Sequence, residues 1–102
     1  MTDQTDLRAL KITQQIIELF HLKGFNPKWV TFKLISNDKF TGYAVSYKTL
    51  TTYIVYNYLS DAWYFLTALP KNGTIKATAK SYIANCYACV KLTDYMAKTI
   101  KP

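Results

Sequence analysis

Apolar side chains along this chain follow three successive rhythms. From about residue 4 to 23, Leu7, Leu10, Ile17 and Phe20 recur at helical spacing, and Ile12, Ile16 and Leu19 widen the stripe. Gly24 then stands where a left-handed cap residue is wanted. Phe25 follows as its usual hydrophobic partner, and Asn26-Pro27 prevents continuation. From Trp29 to Leu69 the rhythm changes to period two in a run rich in Tyr, Thr, Val, Ile and Trp, which predicts strands at about 29–35, 40–48, 52–58 and 63–69. Beyond the turn residues Pro70-Lys71-Asn72-Gly73, helical spacing returns at Ile75, Ala79, Tyr82, Ile83, Cys86, Cys89, Val90, Met96, Ala97 and Ile100, with Thr93 as the gap. Thr74 offers an N-cap, so this helix is expected over about 74–100.

These elements define an α+β fold: an N-terminal helix, a four-stranded antiparallel meander sheet, and a long C-terminal amphipathic helix packed on the sheet, in one domain over 1–102. With four-residue hairpin connections, Ile35 faces Phe40, Tyr47 faces Thr52 and Tyr58 faces Trp63. One sheet face then collects Val30, Phe32, Leu34, Tyr43, Val45, Tyr47, Ile54, Tyr56, Tyr58, Trp63 and Phe65. This face is the bulkier, so both helices are expected on it. The other face carries Trp29, Phe40, Tyr53, Tyr64 and Leu66, an exposed apolar patch suited to a second copy of the chain as a homodimer. One helix on each face is the competing arrangement and removes that patch. Leu50–Leu69 has the length of a membrane span with Asp61 as its only charge. Asn57, Ser60 and Asp61 near its middle, and its Tyr/Thr alternation, favour strands instead.

Charge adds a partner class to this picture. The 13 Lys+Arg against 6 Asp+Glu give +7, which favours nucleic acid, an acidic protein surface or anionic lipid. Arg8 is the lone arginine, so bidentate reading of guanine is nearly absent and sequence-specific major-groove recognition is disfavoured. Opposite the apolar stripe of the last helix lie Lys76, Lys80, Tyr87, Lys91, Asp94 and Lys98. Such a row is commonly a solvated helix face. With Tyr87 among four lysines it also suits a phosphate-tracking stripe, assisted by Arg8 and Lys11 on the first helix.

Catalytic chemistry is not visible. Cys86-Tyr87-Ala88-Cys89 is a C-x-x-C, but the pair falls deep within the expected helix and on its apolar face, where cysteine is a core residue. His21 is the only histidine, and two thiolates make half a zinc site, so neither a metal nor another cofactor is expected. Asp38 and Asp61 fall in turns, where aspartate serves the backbone. No acid–base carboxylate pair or Gly-rich phosphate loop occurs, and an enzyme is not expected. The polar start Met1-Thr2-Asp3-Gln4 lacks the pattern of a signal peptide, which points to the cytoplasm and reduced cysteines. In element order alone, the chain resembles double-stranded-RNA-binding domains, departing from them by a fourth strand and by lacking a basic cluster at the start of the last helix. The meander followed by a long helix is similar to the coactivator type of single-strand binder. Two functions follow: a sequence-neutral nucleic-acid binder, or a protein-binding adaptor or inhibitor docking on an acidic partner. Small size and high lysine content also suit an accessory protein of a phage, plasmid or other mobile element.

Overall fold

The computed structural model describes residues 3–69, 81–82 and 85–100, with side chains placed over 11–69 and 87–100. Helix α1 spans Asp3–Leu22, and a 3-10 turn covers Pro27–Trp29. Four strands follow, β1 (Val30–Ser36), β2 (Phe40–Tyr47), β3 (Leu50–Asn57) and β4 (Ala62–Leu66). A two-residue strand β5 (Ser81–Tyr82) and helix α2 (Asn85–Ile100) complete the described elements. The sheet order β1-β2-β3-β4-β5 is antiparallel throughout, and α2 packs on β3 and β4. The α+β architecture expected from the sequence is the one observed.

Helix α1 stops for the local reasons its sequence supplies. Gly24 has φ +88°. The Phe25 amide donates to the Phe20 carbonyl at 3.0 Å and the Gly24 amide donates to the His21 carbonyl at 3.0 Å, which pairs two carbonyls the last turn leaves open. The Phe20 and Phe25 rings close the motif with centroids 5.6 Å apart.

Hairpin register differs from expectation in each turn, yet the faces survive. Ser36 pairs with Thr41, Tyr47 with Leu50 and Asn57 with Ala62, each pairing displaced by two residues from the four-residue-loop count. Side chains alternate with period two, so an even displacement keeps every strand residue on its side. The turns themselves explain the shift. Asn37 Oδ1 accepts from the Lys39 and Phe40 amides at 2.8 and 2.9 Å. Asn57 Oδ1 accepts from the Leu59 and Ser60 amides at 2.9 and 3.1 Å. The β2–β3 turn shrinks to Lys48-Thr49 because Lys48 takes a left-handed backbone with φ 58°.

Both helices pack on the bulkier face. Ile12, Ile16 and Phe20 from α1 and Ala88, Cys89, Leu92 and Met96 from α2 join Val45, Tyr47, Ile54 and Trp63 in one buried cluster. Thr93 sits in the apolar stripe at no cost, because its hydroxyl donates to the Cys89 carbonyl at 2.7 Å. The last helix requires correction. Ser81–Tyr82 pairs with β4 as a strand rather than continuing a helix over 74–100, while residues 70–80 lie outside the described residues. One helical phase drawn through residues 75–83 therefore misjudges the buried stripe. Ala88 and Leu92 face the core, and Val90 is turned outward. Leu50–Leu69 forms β3 and β4. Among the described residues no helix is long and apolar enough to cross a membrane.

The second sheet face also departs from expectation. Phe40 is only 4% exposed, and Val55 and Ala62 beside it are buried. Tyr53, Tyr64 and Leu66 are half-buried. Trp29 is not on this face, because the 3-10 turn breaks the strand alternation and brings its ring within 6.3 Å of Tyr47. The expected five-residue apolar patch is thus reduced to partly covered side chains.

Candidate nucleic-acid interface

The two helices run parallel. Gln15 of α1 meets Cys89 of α2 at 3.6 Å, and farther along Lys23 meets Asp94 at 3.0 Å. The end of α1 stacks Phe20 on Tyr47 at 5.7 Å. Helix α2 follows β5, the partner of Trp63, and by its later turns reaches Phe65 through Tyr95 and Thr52 through Met96. Both helix C-termini therefore reach toward the end of the sheet closed by the β2–β3 turn.

That end gathers lysines: Lys23 just past α1, Lys28 in the 3-10 turn, Lys48 in the β2–β3 turn, and Lys98 in the last turn of α2, with Lys91 two turns earlier. A helix C-terminus carries partial negative charge, which favours cations such as Lys98. Asp94 is the carboxylate that lines the cleft with these lysines, and Lys23 engages it, while exposed Glu18 lines the adjoining groove between the helices. Asp38 and Asp61 sit at the opposite end of the sheet, in the β1–β2 and β3–β4 turns. Tyr56 donates to the Asp61 carboxylate there. Lys39, also in the β1–β2 turn, is a cation at that opposite end.

Lys23, Phe65, Lys91, Asp94, Tyr95, Ala97 and Lys98 line an open cleft of about 530 Å³. Its floor is aromatic, with Phe65 and Tyr95 centroids 5.5 Å apart. A second feature lies at the same end. Trp29 is 52% exposed, and the Lys48 ammonium stands 5.0 Å from its ring centroid and 5.9 Å from that of Tyr47.

Of the residues expected to contact nucleic acid, Lys91 and Lys98 line this cleft, and Tyr87 is exposed one turn before Lys91. Lys11 is exposed on α1, but twelve residues of helical rise, about 18 Å, separate it from Lys23. Arg8 lies nearly a turn farther back on the α1 backbone. Among the described residues, Lys11 is not part of the cleft lining. Lys76 and Lys80 fall outside the described residues. Lys23, Lys28 and Lys48 were not anticipated. Each stands at a helix stop or turn, and their meeting depends on the parallel packing of the helices.

Helix α2 starts at Asn85, so the Cys86 backbone falls in its first turn rather than deep within a helix. Its neighbour Cys89 is fully buried and unoxidised. Among the described residues no three His, Cys, Asp or Glu side chains gather as metal ligands. Comparison with protein-family models, curated proteins and solved structures returns no match.

Proposed function

We propose that this chain is a small, sequence-neutral nucleic-acid-binding protein that tracks phosphates with the lysines around the α2 cleft. The observation that carries the reading is the clustering of Lys23, Lys28, Lys48, Lys91 and Lys98 at one end of the fold, where the described carboxylate of the cleft, Asp94, is ion-paired with Lys23. A net charge of +7 supplies long-range attraction to a polyanion. With Lys23 held by Asp94, about four lysines are left for phosphates. Single-stranded nucleic acid should then show a log–log salt slope near −3, at about −0.7 per contact. Fluorescence anisotropy of labelled DNA and RNA across a salt series tests this. Changing Lys91→Glu together with Lys98→Glu should abolish binding at physiological salt. No binding at low salt refutes the reading.

A second reading has its own observation. Leu22 is 79% exposed and, with Leu19 and Val90, lines a shallow groove of about 170 Å³ between the helices. That apolar groove beside a basic end suits an adaptor or inhibitor docking on an acidic protein. A fixed protein partner, with no affinity for bare nucleic acid, would select it. Either role suits a cytoplasmic accessory protein of a mobile element.

A further inference from the structure

We propose that Trp29 is a stacking platform for an unpaired nucleobase, with Lys28 and Lys48 holding the flanking phosphates, so that the protein takes single-stranded nucleic acid. The inference rests on the nucleic-acid reading above and gives that site its substrate class.

The chain has two tryptophans, and they are treated oppositely. Trp63 is 4% exposed in the core, whereas Trp29 presents half its surface to solvent. The exposed ring is nonetheless firmly mounted. Pro27 fixes the backbone of the 3-10 turn, Asn26 Oδ1 accepts from the Lys28 amide at 3.0 Å, and the Trp29 amide donates to the Asn26 carbonyl at 3.1 Å. Tyr47, itself buried, backs the indole at a tilt of 31°. A large flat ring held in place loses little entropy when a base stacks on it.

The cations around it are arranged for a polyanion. Lys48 sits in a two-residue turn at φ 58°, a position that ordinarily selects glycine or asparagine. From there its ammonium stands over Trp29 and is exposed, and Lys28 is exposed beside it. An exposed, mounted aromatic ring with a lysine ammonium at its face and an exposed lysine next to it in sequence is the combination that sequence-neutral single-strand binders use, because every base has a π-face while duplex bases are already stacked. The cleft lined by Lys91 and Lys98 opens at the same end of the fold, so one strand can engage both features.

Titrating the protein with oligo-dT, with a duplex of equal length and with poly-L-glutamate, while following tryptophan fluorescence, tests the proposal. Oligo-dT should quench the emission, and the signal is assigned by Trp29→Phe, which should remove the quench while keeping binding within a few-fold. Trp29→Ala, checked for folding by thermal melting, should weaken oligo-dT binding roughly fivefold or more and leave duplex binding within about twofold. Oligo-dT binding with no fluorescence change would overturn the platform and leave the lysine reading intact. Equal losses for oligo-dT and duplex in Trp29→Ala, or equal quenching by poly-L-glutamate, would also overturn it. Failure to bind any nucleic acid would overturn both.

Discussion

Asp94 offers a gain-of-function test of the basic end. Its carboxylate pairs with Lys23 at 3.0 Å, and the two side chains are 48% and 37% exposed. Such a solvated pair contributes only about 0.2–1 kcal/mol to stability, so Asp94→Asn should lower the melting temperature by no more than a few degrees. Its effect on binding should be larger. The change removes a like charge from the cleft wall and releases one ammonium. A carboxylate about 6 Å from a bound phosphate repels it by about 0.7 kcal/mol even at the dielectric of water, which is roughly threefold in affinity. The freed Lys23 adds one phosphate contact and steepens the log–log salt slope on single strands by about 0.7. Together these predict about three- to tenfold tighter binding at low salt, a gap that narrows as salt rises. Anisotropy titrations of both proteins at four or five salt concentrations, with the melting temperature measured in parallel, read all three quantities. Asp94→Asn binding no tighter than the parent, with an unchanged slope, would show that nucleic acid does not occupy this cleft.

Two glycines separate steric from conformational cost, and thermal melting measures both. A Cβ on Gly42 would lie 2.0 Å from the Ile54 carbonyl oxygen and 2.7 Å from the Val55 Cα, backbone atoms of β3 that cannot step aside alone. Gly42→Ala should therefore cost about 3 kcal/mol, roughly 10–20 °C in a chain of this size. A Cβ on Gly24 would meet nothing within 4 Å, but the residue holds φ +88°, so Gly24→Ala should cost only about 1 kcal/mol. A larger loss at Gly24 than at Gly42 would refute the ordering.

What was legible in the sequence was what depends on near neighbours. The α1 stop is written in Gly24, Phe25 and Pro27, and it forms with these residues in the expected roles. The faces of the meander were legible for a subtler reason. Asn37, Lys48 and Asn57 each set a turn that moves the register, but by an even step that leaves the inward set intact. The errors arise where one rhythm was carried across a change of backbone. The 3-10 turn takes Trp29 out of strand alternation, and β5 takes Tyr82 out of the helix. The basic end was not legible, because Lys23, Lys48 and Lys98 are brought to one end only by the parallel docking of α1 and α2 on the sheet.

Lysine at that end has two physical explanations that can be separated residue by residue. Lys98 lies in the last turn of α2, where the helix dipole alone stabilises a cation by about 0.3–1 kcal/mol. Lys91 stands nine residues before Ile100, beyond the reach of the terminal field, and lines the same cleft. If the lysines serve only the fold, Lys98→Ala should lower stability and Lys91→Ala should do nothing measurable. If they serve a polyanion, each should reduce the salt slope on single strands by about 0.7, and Lys91→Ala should do so with an unchanged melting temperature. Lys91 is thus the cleaner probe, because its placement has no share in the helix-end stabilisation available to Lys98. A Lys91→Ala protein that binds with the parent slope would leave the cleft without a phosphate-binding role.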